Sequence, residues 1–418
     1  MVTIEDYKID PGKKIVDNVD IQVIYIPLES KMGYSYKPTV NVGEYVCIGS
    51  VLGKNNIAEI PLLSTISGTI VGFEDKYISN GKQVKCIVIE NDFKEKYLDK
   101  VGKKNDITKY SKDEFIYILK TCGIIGMSGS GFPTYIKYDT KEQIKYLIVD
   151  GAECEIYVSS DSARMYNNPE EILEGIDAIM EIMGIEKTYI AINEKNEKII
   201  KKFLKHINTY PNIKIYPLTD GYPNGYERYL VNEILGLSYD RLPIEVGVIN
   251  ENVSTIYAIY EALKYHEPLN KRIVTISGNG IKKPTNFLLK IGTNFNELLL
   301  KTDIYKEIDN PLLIAGGAMM GTSIPSDELI VTGDTNSILI MEDNKQKELS
   351  CIKCGKCTEV CPVNLIPSLI MNNPKKAKVL NINKCMNCGL CSYVCPSKIE
   401  VREKIKAIKE ALKWENFI

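Results

Sequence analysis

Residues 351–362 read CIKCGKCTEVCP and residues 385–396 read CMNCGLCSYVCP. Both follow C-x2-C-x2-C-x3-C-P. In this spacing three close thiolates wrap one face of an iron–sulfur cubane, and the fourth Cys reaches across to the other cubane. The spacing therefore assigns Cys351, Cys354, Cys357 and Cys395 to one 4Fe–4S cluster, and Cys385, Cys388, Cys391 and Cys361 to a second. Gly355 and Gly389 let the backbone curl close to sulfur. Pro362 and Pro396 end each loop and steer the fourth Cys across. A pair of zinc sites is the competing use of such thiols. Zinc favours two separated ligand pairs, often including His. The chain's two His, His206 and His266, lie well outside these runs. The segment reads as a wire for single electrons, and something upstream must feed it.

Around that segment lie 418 residues, too many for one core and enough for three or four domains. A hydrophobic share of 44% with 25% charged residues is ordinary for a soluble globular protein. A net charge of −2 argues against nucleic acid as a partner. The opening MVTIEDYKIDPGKKIVDNVD has no apolar core and is not expected to be a signal peptide. No run of 18 apolar residues occurs, so no transmembrane span is expected. The expected location is cytoplasmic, and work at a membrane would mean docking on an integral partner. In that compartment, eight of 12 Cys gathered in residues 351–395 mean metal rather than disulfides.

The middle of the chain alternates strand and helix. The apolar run YLIV (146–149) reads as a buried strand that Asp150 ends in a loop, PEEILEGIDAIMEIMGI (169–185) as an amphipathic helix, and KTYIAIN (187–193) as a strand. NEKIIKKFLKHI (196–207) reads as a helix and IKIYPL (213–218) as a strand, so a parallel sheet is predicted. Three loops of unusual composition punctuate it. GMSGSGFPT (126–134) is glycine-rich before a helix start, where exposed amides can cradle phosphate. DGAECEIY (150–157) places acids just past a strand end, where α/β sheets bind ligands. YPNGYE (222–227) is turn-rich. Taken singly, each loop reads equally well as a plain connection.

In this order, with NVST (252–255), GGAMMG (316–321) and the double Cys motif, the chain resembles the RnfC family, a component of the Rnf electron-transport complex. More distantly it is similar to the flavin- and NADH-binding component of respiratory complex I. Three positions depart from the family pattern: Ser128 for Gly, Asp150 for Asn and Ile156 for Pro. The resemblance implies FMN contacts at Gly126, Gly129, Gly131, Lys137, Asn252 and Thr255. It implies flavin or nicotinamide contacts at Glu153, Glu155, Tyr222 and Glu227, with Glu153 and Glu155 in the catalytic role.

It also implies a multidomain α/β architecture. Residues 1–100, with V-x-V-G-E and S-G-x-I turns, form a barrel-sandwich hybrid without a carrier Lys at its hairpin tip. Residues 105–262 form a Rossmann-like FMN/NADH domain. Residues 263–340 form a β-grasp-like (SLBB) domain, and 345–402 the two-cluster ferredoxin domain. Residues 403–418 form a C-terminal helix that packs or meets a partner.

Cys122, close before Gly126, reads most simply as a small buried thiol. Its functional reading is a redox thiol beside the flavin. That feature is similar to the proline reductase-associated electron transfer proteins of anaerobic, amino-acid-fermenting bacteria, a branch of the same family. Three functions are thus expected. In the first, NADH feeds FMN and two clusters that serve a partner such as D-proline reductase. In the second, the chain is a membrane-docked part of an Rnf complex. In the third, suggested by Asp150 and Ser128, it is an electron adaptor that binds no NADH.

Overall fold

The computed structural model describes all residues except 1, 3, 5, 18, 100, 108 and 415–418, and the side chains of 413 and 414. The parallel layer shows most directly how composition becomes architecture. Its strands are Ile213–Leu218, Lys187–Asn193, Tyr146–Gly151 and Val248–Asn252, in that spatial order and all parallel. Leu147 and Val149 face one core with Ile190, Ile192 and Ile249, while Ile148 faces another with Ala191, Leu230 and Val248. An unbroken apolar run is what a strand covered on both faces requires.

Helices supply the cover. Pro169–Met183 and Val253–Tyr265 pack together on the first face, and Glu227–Leu235 closes the second. Pro169 stands at the first helical turn, and Gly184 ends that helix in the left-handed conformation that glycine adopts without strain.

Before this layer, residues 23–91 form two small antiparallel sheets. One has the order Val23–Pro27, Gln83–Asn91, Gly68–Tyr77, Tyr45–Val46. The other joins Lys37–Pro38, Val51–Lys54 and Leu62–Leu63. Ile24, Ile26, Leu52, Ile70, Ile87 and Ile89 fill the space between them, giving the barrel-sandwich hybrid.

After it comes a five-stranded mixed sheet of Thr285–Lys290, Lys271–Ser277, Ser337–Glu342, Pro311–Ala315 and Thr322–Ile324. The helix Phe295–Lys301 packs into its core through Phe295 and Leu298. The cluster segment is built of short helices braced by Val401–Trp414. The expected C-terminal helix is seen to residue 414, and its last four residues lie outside the described ones.

The N-terminal segment, which has no apolar core, straps the other layers together. The backbones of Val2 and Tyr222 exchange hydrogen bonds of 3.2 and 3.0 Å. Tyr7 stacks on Tyr157 with ring centroids 4.9 Å apart. Lys13 Nζ donates to the Pro284 carbonyl at 2.7 Å.

Candidate flavin and cluster centre

The chain enters the parallel layer at Tyr146–Gly151, builds outward on one side, then crosses to the other at Val248–Asn252. The crevice beyond the carboxyl ends of these two strands is the topological switch point, where open α/β sheets bind ligands. Asp150 and Asn252 are partners across it.

The glycine loop is tied to the same place, because Thr255 Oγ1 accepts the Met127 amide at 2.9 Å. Asn252 caps the helix Val253–Tyr265 by accepting the amides of Ser254 and Thr255. Its Nδ2 donates to Asp161 at 2.7 Å, and the Ser254 hydroxyl donates to the same carboxylate. Lys137 Nζ lies 2.8 Å from the Asn250 carbonyl and 3.1 Å from Glu251 Oε1. Burial pushes the Glu251 carboxyl above its usual range, and the Lys137 charge pulls it back.

Neighbouring layers grip the loop. Lys31 Nζ donates to the Gly129 carbonyl at 2.8 Å, and the fully buried Arg272 donates to that of Met127 at 3.3 Å. Gly129 has a φ of +100° and faces open space, so a ligand can approach its backbone. A Cβ on Gly131 would instead meet Asp334 at 3.7 Å.

The acidic loop has a different job from the one its composition suggests. Glu153 accepts the amides of Asp161 (2.7 Å) and Ser162 (2.9 Å), capping the helix Ser160–Asn167. Burial, then the Asp161 charge, pushes its carboxyl up to about 7. Glu155 accepts the amides of Met319 (3.0 Å) and Met320 (2.7 Å), closing the glycine–methionine loop. Both carboxylates are therefore committed to backbone amides. Asp150 Oδ1 accepts the Ala152 amide at 3.0 Å, and burial pushes this carboxyl up to about 7.

Tyr222 also points away from its expected role. Its hydroxyl donates to the Cys388 carbonyl at 2.7 Å, reaching into the cluster segment. Glu227 opens the helix Glu227–Leu235, accepts the Tyr239 hydroxyl at 2.8 Å and raises the pKa of Glu251 by its charge. Cys122 is buried, its thiol pushed up to about 12 by burial. It lines a 120 Å³ cleft with Ile26, Leu62, Gly131 and Asp334. The switch-point residues Lys137, Asn252 and Glu153 are not part of that lining.

The eight C-terminal thiols gather into two cavities. One is lined by Cys351, Cys354, Cys357 and Cys395, the other by Cys361, Cys385, Cys388 and Cys391. The two motifs fold alike. Lys353 and Asn387 each have a φ of 55°, and Gly355 and Gly389 follow at 82° and 84°, each opening a short helix.

The second cavity is stapled to the rest of the molecule. Arg402 donates to the Met320 carbonyl at 2.7 Å and to that of Asn387 at 3.1 Å. At Gly389 an added Cβ would stand 2.7 Å from the Met319 carbonyl, so only glycine allows this approach. Tyr222, Met319, Cys388 and Leu390 form one apolar cluster, with Cys154 and Ile156 packed against it.

Residues 2–94 match the RnfC barrel sandwich hybrid domain, 119–261 the Nuo51 FMN-binding domain, and 350–399 a 4Fe–4S dicluster domain. The chain is 30% identical over 375 residues to the C component of the proton-translocating ferredoxin:NAD(+) oxidoreductase complex of Clostridium ljungdahlii. That alignment covers 86% of this chain and 82% of the relative. The chain belongs to the RnfC family. The Na(+)-translocating counterpart of Acetobacterium woodii is 28% identical over 354 residues, covering 83% of this chain and 80% of that one. The corresponding component of the ion-translocating oxidoreductase complex of Vibrio cholerae is longer, and the chain spans 47% of it at 29% identity. Among solved structures, an NAD+-reducing NiFe hydrogenase in the H2-reduced state is similar in fold, with a TM-score of 0.50 and 13% identity. The likeness covers 74% of this chain and 61% of that one.

As in its family, the chain carries an FMN-binding domain and a 4Fe–4S dicluster domain, and it is an electron-transfer component of oxidoreductase type. Its residues fit these groups. At the switch point, Asn250 Oδ1 and Glu251 Oε2 are buried without a hydrogen-bond partner, as groups awaiting a polar ligand would be. Each thiol cavity offers four sulfurs in an apolar wall, Met371 and Ile399 in one and Leu365 and Ile405 in the other. Among the described residues no helix is long and apolar enough to cross a membrane.

Sequence reasoning missed Asp161, Glu251, Arg272 and Lys31, which hold the glycine loop and the Asn252 cap in place. Asp161 had one faint signal, its place in the Ser-rich start of a helix just after the acidic loop.

Proposed function

We propose that this chain takes electrons from NADH and passes them singly to a protein partner, using FMN at the switch point and a 4Fe–4S cluster in each thiol cavity. FMN supplies the exchange between a two-electron hydride donor and one-electron carriers. The protein's own part is to hold and align. Lys137 and the loop bearing Gly126, Gly129 and Gly131 form the flavin side of the crevice. Asn252 and Thr255 act one step back, through the helix cap and the Met127 amide. Glu153 and Glu155 are positioning residues, since both spend their carboxylates on backbone amides. Cys351, Cys354, Cys357 and Cys395 ligate the outer cluster, and Cys361, Cys385, Cys388 and Cys391 the inner one.

The joint between the two sites carries this reading. Tyr222 and Met319 bring the Cys388 thiol set against the flavin layer in one buried apolar cluster. The partner favoured is the membrane-embedded remainder of an Rnf-type complex. The D-proline reductase reading leaned on Cys122 as a redox thiol. A buried thiol pushed up to about 12 holds almost no thiolate at neutral pH. The test is to add NADH to anaerobic, flavin- and iron-loaded protein while following visible absorbance. Bleaching of flavin and clusters together is expected. Flavin that stays bound and oxidised would leave an adaptor without NADH binding. Membrane fractionation of the source cells separates the partners, since a part of a membrane complex sediments with membranes.

A further inference from the structure

Charge is segregated along this chain. Residues 350–399 hold seven Lys against one acidic residue, Glu359, although the whole chain carries a net charge of −2. All seven Lys are exposed. The two thiol cavities also differ in outlook. The Cys388 set is pressed against Tyr222 and Met319, and Cys388 itself is buried. The Cys354 set opens outward, with Cys354 exposed, Ile352 67% exposed, and Lys353 and Lys356 lining the cavity.

We propose that the rim of the outer thiol cavity is the docking face for an acidic one-electron redox protein, steered by Lys353 and Lys356 and seated on Ile352. The proposal rests on the electron-transfer reading above and adds the side of exit and the charge of the partner's redox domain, for which a small soluble ferredoxin stands in. A positive patch facing a negative one raises the rate of productive encounter and selects the partner by sign. Ile352, exposed beside Lys353, offers the encounter an apolar contact. Lys375 and Lys376, exposed on the turn 374–376, add to the positive charge of the same segment. An anionic lipid surface would call for basic residues along one face of an amphipathic helix. Here Lys353 and Lys356 stand at the mouth of a thiol cavity instead.

The experiment uses the full-length, flavin- and iron-loaded protein, with a small acidic ferredoxin as probe and basic cytochrome c as its opposite. Binding is measured at about 20 and about 200 mM NaCl, spanning the salt range in which the Debye length passes through about 10 Å. The ferredoxin should bind at low salt and weaken at least tenfold at high salt. Lys353→Glu with Lys356→Glu should weaken it at least tenfold at low salt and make cytochrome c the better partner. Lys375→Glu with Lys376→Glu, outside the cavity lining, should give a smaller loss of the same sign. It answers the question if the first variant loses iron. Unchanged ferredoxin binding in both variants overturns the proposal. So does capture of the parent by phosphatidylglycerol vesicles when ferredoxin does not bind. NADH bleaching is read on the same samples. Bleaching without ferredoxin binding sinks only the docking face, and binding without bleaching sinks only the NADH reading.

Discussion

Replacing Asp150 by Asn restores the residue expected from the family resemblance, and the structure says what this does to stability. The Asp150 carboxyl lies at the end of its strand among Glu153 and Asp161, and burial, aided by those charges, pushes it from 3.8 up to about 7. The folded protein therefore keeps this proton up to about pH 7, whereas the unfolded chain releases it near 3.8. Between those values the native state binds more protons than the unfolded state, so stability falls as pH rises. Three pKa units correspond to about 4 kcal/mol. An edge of Asp150 stays open to water, which halves the expectation to about 2 kcal/mol. Asn keeps the oxygen that accepts the Ala152 amide and carries no charge. Asp150→Asn should thus exceed the parent by about 2 kcal/mol at pH 8 and by only about 0.5 kcal/mol at pH 4.5. Urea unfolding of flavin-free protein, followed by far-UV circular dichroism at both pH values, measures the gap. A gap of equal size at the two pH values, or one that grows toward acid, refutes the reasoning.

Two other perturbations test the joint between the sites. Glu155→Gln keeps one acceptor oxygen and sets an amino group against a backbone amide, so about 2 kcal/mol of local stability should be lost. Hydrogen exchange should quicken at residues 316–321 and 386–392 while flavin content holds, and unchanged protection there would rule the clamp out. The two thiol sets should fail differently. Cys388→Ser should stop NADH from reducing either cluster, whereas Cys354→Ser should leave the inner cluster reducible and block only delivery to a partner. Identical behaviour of the two variants would mean that the inner and outer order is wrong.

The parallel layer was legible because burial on both faces writes itself as an unbroken apolar run, as in residues 146–149, while the strand itself runs on through Asp150 to Gly151. The two thiol sets were legible because the spacing within each motif dictates which sulfurs share a cavity. The roles of single side chains in the loops were not. Glu155 and Tyr222 carry the motif, but their partners lie far along the chain, at Met319, Met320 and Cys388. Nothing local says that a glutamate will cap a distant loop rather than face a ligand. Arg272 was invisible for the same reason, since a lone Arg at the start of a strand is usually solvated, yet here it is fully buried against the carbonyls of Gly333 and Met127.

These long-range ties share a logic. A flavin site and an iron–sulfur wire can each be encoded by a short motif, but the separation between them cannot, because it depends on how two separately folded layers dock. Electron transfer falls steeply with that separation, so the docking must be held tightly. The chain does this by tying side chains of one layer to backbone groups of another. Tyr222 meets the Cys388 carbonyl, Glu155 the amides of Met319 and Met320, Arg402 the carbonyls of Met320 and Asn387, and Gly389 lies directly on the Met319 carbonyl. In each hydrogen bond a side chain meets a backbone group, and a backbone group left unpaired when buried costs about 1–3 kcal/mol. A joint made this way resists opening, which keeps the Cys388 thiol set at a fixed place relative to the crevice.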